Sequence, residues 1–155
     1  MKMLLYIGIV FVIGLAIIFV GLSMTSRKQP ELGLHQGRLL ACPTTPNCVC
    51  SEWPSKNAFI EPIHYSIAHA DAWSGVKQAI VESGGLITLE DGHYLHARFV
   101  TPILRFVDDV ELRIDMDAHL IHLRSASRVG HSDIGLNRKR LERIRTAFKR
   151  QIEGE

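Results

Sequence analysis

An uncharged apolar run of 19 residues, Leu4 to Leu22, constrains this chain more than any other feature. As a helix rising about 1.5 Å per residue it spans roughly 28 Å, close to the hydrocarbon thickness of a bilayer. A secretory signal is the competing reading, since Lys2 supplies a positive start and Gly21-Leu22-Ser23 is a small-x-small site. Signal cores usually run about 7–15 apolar residues, so the longer run favours a retained transmembrane anchor over residues 1–24. Leu39-Leu40-Ala41-Cys42 spells a lipoprotein box, but the polar stretch Ser23 to Arg38 separates it from the apolar run. Gly8, Gly14 and Gly21 lack the GxxxG spacing of a helix-pairing face.

The flanks give opposed signals about orientation. Arg27, Lys28 and Arg38 follow the run, and the positive-inside rule taken alone draws the domain toward the cytoplasm. Cys42, Cys48 and Cys50 argue for export, because two cysteines six apart in a short Pro-rich segment of an exported domain read as a disulfide. A Cys42–Cys48 bond would close a loop around Pro43 and Pro46 and leave Cys50 open to alkylation. The expected place is a bacterial inner membrane, single-pass, with the domain on the periplasmic side.

Residues 25–37 read as an extended linker and residues 38–155 as one soluble domain, long enough for one core and too short for two. Ile60 to Ile67 reads as a strand interrupted by Pro62, so that the proline marks the strand's start or a sheet edge. Asp71 resembles a helix N-cap ahead of the stripe Trp73, Val76 and Ile80, and Gly84-Gly85 stops that helix. Leu86 to Glu90, Tyr94 to Val100, Leu104 to Asp115 and Leu120 to Arg128 read as strands joined by turns at Asp91-Gly92 and Asp117-Ala118. A last helix covers about Asn137 to Ile152. The order β-α-β-β-β-β-α predicts an α+β domain, an antiparallel sheet with two helices on one face.

Alternation along the longest strand places Phe106, Asp108, Val110, Leu112 and Ile114 on one side and Arg105, Asp109, Glu111, Arg113 and Asp115 on the other. With His96, Arg98, His122, Arg124 and Arg128 from neighbouring strands, the second side reads as a solvated charged face or a polar binding surface. Asp108 sits among apolar neighbours and needs a buried partner such as an arginine. Asp108, Asp109 and Glu111 are therefore expected in a structural network.

The segment Arg124 to Arg138 joins the last strand to the last helix and holds the densest chemistry. Arg124, Ser125, Ser127, Arg128, His131, Ser132, Asn137 and Arg138 form a candidate anion site, since hydroxyls, guanidinium groups and a helix N-terminus all favour negative charge. The bland alternative has Asp133 or Asn137 capping the helix and the arginines pairing with Asp108, Asp109 or Glu111. His131-Ser132-Asp133 names a hydrolase triad, but three adjacent residues cannot stack nucleophile, base and orienter in line. His93 with His96 and His119 with His122 lie three apart, a spacing that splits them between strand faces, and C-x5-C-x-C is no standard zinc spacing. No metal or cofactor is expected.

Three stretches together, Cys42 to Val49 (CPTTPNCV), Phe106 to Glu111 (FVDDVE) and Arg124 to Asp133 (RSASRVGHSD) followed by Asn137-Arg138-Lys139-Arg140, closely resemble the domain of unknown function 1499 family. The resemblance covers roughly Gly33 to Arg150. It implies an exported or membrane-anchored single domain in bacteria and implies no activity. Cys50 stands where the family pattern has serine, which leaves open which two of the three thiols pair.

Asn137 to Arg150 carries a net charge of +6, against −3 for Ser23 to Leu136. Such a helix either packs on the core with a solvated basic face or lies on anionic headgroups. Overall charge of +2 gives no basic footprint for nucleic acid. The expected function is a membrane-tethered, non-catalytic module binding an anionic small molecule or lipid headgroup. Its rival is a hydrolase-like enzyme using Asp108 or Asp109 with His122 or His131.

Overall fold

A computed structural model describes residues 2–55 and 57–153; Met1, Gly154 and Glu155, the outermost positions of the expected anchor and domain, lie outside the described residues. Helix α1 (Lys2–Ser26) carries the apolar run and is long and apolar enough to cross a membrane. The rest folds as β1 (Cys48–Cys50), β2 (Ile63–His64), α2 (His69–Glu82), β3 (Leu86–Asp91), β4 (Tyr94–Val100), β5 (Val107–Asp115), β6 (Leu120–Ser127) and α3 (Leu136–Glu153).

The sheet is open and antiparallel, in the order β1-β6-β5-β4-β3. Two short strands share its outer edge: β1 pairs with Arg124 to Ala126 and β2 with Leu120 and Ile121 of β6. Strand β1 was not legible as a strand, because its three residues gain their ladder only from β6. Strand β2 begins just after Pro62, which lacks the N–H a longer strand would donate. Helix α2 starts at His69, with Ala68 as an N-cap that makes no side-chain bond, so Asp71 lies in the first turn instead of capping it. Strand β5 starts at Val107, not Leu104, because the Thr101 hydroxyl accepts the Phe106 N–H and Arg105 takes a left-handed backbone with φ of 57°.

Val110, Leu112 and Ile114 of β5 face α2 and α3 together with Leu95, Ala97, Ile121 and Leu123, and the helices add Val76, Ile80, Leu141, Ile144 and Phe148. These aliphatic and aromatic side chains are almost entirely removed from water, at about 25 cal/mol per Å² of apolar surface.

The opposite face corrects the expectation of a solvated charged surface. His96, Asp109, Glu111 and Arg124 are all buried there, and of that set only Arg98 and Arg105 are exposed. The chain after α1 covers them. Gly33 N–H donates to Glu111 Oε1 at 3.2 Å, Leu39 is fully buried beside Cys50 and Tyr94, and Leu39 N–H donates to Glu52 Oε2 at 2.5 Å. The 25–37 stretch is thus no free spacer: its first two residues complete the last turn of α1 and Gly33 is tied to the sheet.

Cys42 and Cys48 form a disulfide, while Cys50 is free and buried. Burial pushes the Cys50 thiol up, and it is 1% exposed, so it is shielded from alkylation in the folded state. The bond closes a short loop, and Cys42→Ala/Cys48→Ala is expected to lose about 2 kcal/mol in chemical denaturation. In non-reducing peptide mapping, Cys50 should take up alkylating reagent only after unfolding; ready labelling of the native protein would contradict its placement.

Candidate functional site

Two polar networks and one cleft occupy the end of the domain next to α1. On the covered face, Asp109 is clamped by Arg128, whose Nε lies 2.8 Å from Oδ2 and whose Nη2 lies 2.7 Å from Oδ1. His96 Nε2 donates to Asp109 Oδ1 at 2.8 Å, the carboxylate being able only to accept. Burial opposes ionisation of Asp109, but the bonds from His96 and Arg128 outweigh it and hold its carboxyl below the ordinary range. The remaining Arg128 nitrogen donates to the carbonyls of Ser26 and Arg27, both at 3.2 Å. A cation thereby meets the C-terminal end of the α1 dipole. Next along β5, Glu111 accepts from Arg124 Nη1 at 2.5 Å and from the Tyr94 hydroxyl at 2.8 Å. Burial, then the Glu111 charge, push the Tyr94 phenol far up, so it stays a donor.

On the helix face, Arg140 Nη2 donates to Asp108 Oδ2 at 2.5 Å, its Nη1 donates to Ser125 Oγ at 3.1 Å and to Asn137 Oδ1, and its guanidinium lies 5.0 Å from the Phe99 ring centre. Asn137 is fully buried and is the hub: Ser125 Oγ donates to it at 2.6 Å, and its Nδ2 donates to Asn47 O at 2.8 Å and Ser127 Oγ at 3.0 Å. Asp133 accepts the Asn137 N–H at 2.7 Å and so caps α3.

Of the candidate ligand residues, Arg124 and Arg128 therefore meet carboxylates on one face, while Ser125, Ser127 and Asn137 meet each other on the other. Arg138 turns away to the carbonyls of Asn57 and Phe59, at 3.1 and 2.7 Å, and His131 and Ser132 are exposed. His122 contacts Ser51 Oγ at 3.2 Å, while Asp108 is held by Arg140 and Asp109 by His96 and Arg128. Among the described residues no three His, Cys, Asp or Glu side chains gather to hold a metal ion.

Sequence reasoning assigned no role to Arg140, Tyr94 or Asn47, and placed His96 on the charged face without its partner Asp109. Arg140 was readable: it falls on the helix face of Asn137, Leu141, Ile144 and Phe148, three residues after a buried asparagine. Asn47 carried no such signal, since it acts from an irregular loop on partners 83 to 90 residues later: its carbonyl accepts from Asn137 and its Nδ2 donates to Gly130 O at 2.7 Å.

Between these networks and α1 opens a cleft of about 750 Å³. Phe19 and Leu22 of α1 form one wall, the 101–106 loop with Ile103, Leu104 and Phe106 another, and the 129–136 loop a third. Thr101, Asp108, Ser127, Ser132 and Asp133 are its polar lining residues, and none of its described lining residues is Lys or Arg. The cleft is therefore apolar with a small acidic and hydroxylic end.

Two titrations in the covered layer act on the acid side of stability, beside those of Glu90 and Asp115, which Lys77 and the Ala118 N–H hold below the ordinary carboxylate range. Burial lowers the His122 pKa, so the unfolded chain takes up a proton more readily; its contribution is present above about pH 6.5 and is lost as pH falls below that value. Asp109, with a depressed folded pKa, contributes above about pH 3.9 and loses that contribution as pH falls through its folded value. Melting temperature is expected to be flat from about pH 7 to 8 and to fall in two stages on acidification, the first removed by His122→Asn. A melt insensitive to pH down to about 5 would contradict the burial of His122.

Comparison with known proteins yields one match: residues 38–148 fit the family model described as Protein of unknown function (DUF1499). No curated protein matches the chain, and neither does any solved structure. With most of its length matched, the chain belongs to the DUF1499 family, whose members share a domain of unknown function.

Proposed function

We propose that the protein is a membrane-tethered, non-catalytic binding module that holds a lipid-like amphiphile in the cleft beside α1. The observation that carries this reading is the composition of the cleft wall: Phe19 and Leu22 belong to the helix that crosses the bilayer, so the cavity is continuous with the hydrocarbon region. An acyl or isoprenoid chain fits its apolar walls. The acidic and hydroxylic end, with its nearest arginines committed to Asp108 and Asp109, favours an uncharged or cationic head over the anionic one expected from sequence.

Retention of α1 as an anchor is part of the reading. Phe19 packs on Phe106 with ring centres 6.5 Å apart and lines the cleft with Leu22, contacts that cleavage near Ser23 would remove. The Cys42–Cys48 disulfide supports an oxidising compartment, and with it a bacterial inner membrane and a periplasmic domain.

Native mass spectrometry of the full chain, released from detergent micelles, tests the proposal. The expected result is a co-purifying amphiphile that is lost in Ser132→Trp, where the indole fills the cleft mouth. Equal retention in that variant, or a chain that stays ligand-free after incubation with extracted membrane lipids, would refute it.

A further inference from the structure

We infer that the domain is inserted in the leaflet next to its anchor through two apolar loop tips, one in the 101–106 loop and one in the 129–136 loop. Ile103 is 89% exposed and Ile134 is 87% exposed, the two most exposed large aliphatic side chains outside α1. Leu104 and Leu136 widen the same patch, and both loops line the cleft whose other wall is α1. Isolated exposed aliphatics are ordinary; a contiguous set beside a membrane helix is not.

The depth follows from where the loop touches the helix. Phe106 packs on Phe19, ring centres 6.5 Å apart. Phe19 lies three residues inside the end of the apolar run at Leu22, about 4.5 Å along the helix axis toward the bilayer centre. A loop held at that level cannot remain in bulk water unless the helix is drawn out of the hydrocarbon. Its other members suit an interface: Pro102 has no N–H to leave unpaired, and the Thr101 carbonyl and hydroxyl are taken by the backbone N–H groups of Arg105 and Phe106. Arg105, exposed and four residues from Arg128's partner Asp109, can extend its guanidinium to the phosphate level. The leaflet is thus the occupant of this patch, because the wall it continues is already a membrane helix. Insertion rests on the retained anchor but is independent of whether the cleft holds a ligand.

Spin labels placed one at a time by Ile103→Cys, Ile134→Cys and, in the exposed β5–β6 turn at the opposite end of β5 from the 101–106 loop, Asp117→Cys test this in the full chain reconstituted in phosphatidylcholine and phosphatidylglycerol nanodiscs; buried Cys50 is controlled by labelling the wild type. Labels at 103 and 134 are expected to show several-fold higher oxygen-to-nickel-chelate accessibility ratios than the label at 117. Intact mass of the same sample reads whether α1 is present. A processed chain lacking α1 would overturn both insertion and the anchor reading; a full-length chain with equal ratios at all three positions would overturn insertion alone.

Discussion

Arg140→Met is expected to lower unfolding stability by about 3–5 kcal/mol, because it leaves the Asp108 carboxylate buried without its cation. The pair is nearly removed from water, with side chains 10% and 7% exposed, and Arg140 also supplies a donor to Ser125 and Asn137 at the hub of the helix-face network. Methionine keeps much of the apolar stem against Phe99, so the loss reports the charge and its hydrogen bonds more than packing. Adding Asp108→Leu to Arg140→Met should recover a large part of the loss, since a matched apolar pair removes the stranded charge. Denaturation of the full chain in detergent, followed by near-ultraviolet circular dichroism, reads both. A single variant within about 0.5 kcal/mol of wild type would show that the ion pair is not formed.

Arg128→Lys is expected to cost about 2–4 kcal/mol, although it preserves charge. The planar fork meets both Asp109 oxygens while its third nitrogen takes the carbonyls of Ser26, the last residue of α1, and of Arg27 after it, and an ammonium cannot reach both sets at once. Two consequences follow from one substitution: the covered face loosens, and the end of α1 is released from the domain. Added phosphate or sulfate should restore nothing, since Arg128 is a partner of Asp109 and not of a free anion. A variant melting at the wild-type temperature, or one whose wild-type parent gains stability from those anions, would contradict this assignment.

The elements with strong periodicity were legible in the sequence. Strands β4 and β6 and helix α3 fall within one or two residues of expectation because Tyr94 to Val100, Leu120 to Ser127 and the Leu141-Ile144-Phe148 stripe carry their own patterns. The α+β class follows from their order. What could not be read was the third layer. Alternation shows that Asp109, Glu111 and Arg113 share a face, but not that Gly33, Leu39 and Glu52 return across it from far earlier in the chain. A charged strand face has the same pattern whether water or a covering segment lies above it; only the long-range contacts decide. The cleft was hidden for a related reason. Its walls come from residues 19–22, 101–106 and 129–136, and no local pattern reports that a loop after β4 returns to α1.

The central claim is that this cleft, bounded by the anchor and two loops, is occupied by a lipid-like chain in the living membrane. The most direct measurement is photocrosslinking in cells fed a diazirine fatty acid, followed by peptide mapping of the protein. The account predicts adducts on peptides carrying Leu104, Phe106 and Ile134 as well as on α1, with the Phe106 adduct lost in Ser132→Trp. Adducts confined to the exposed Met3 to Val20 surface of α1, in wild type and variant alike, would contradict it.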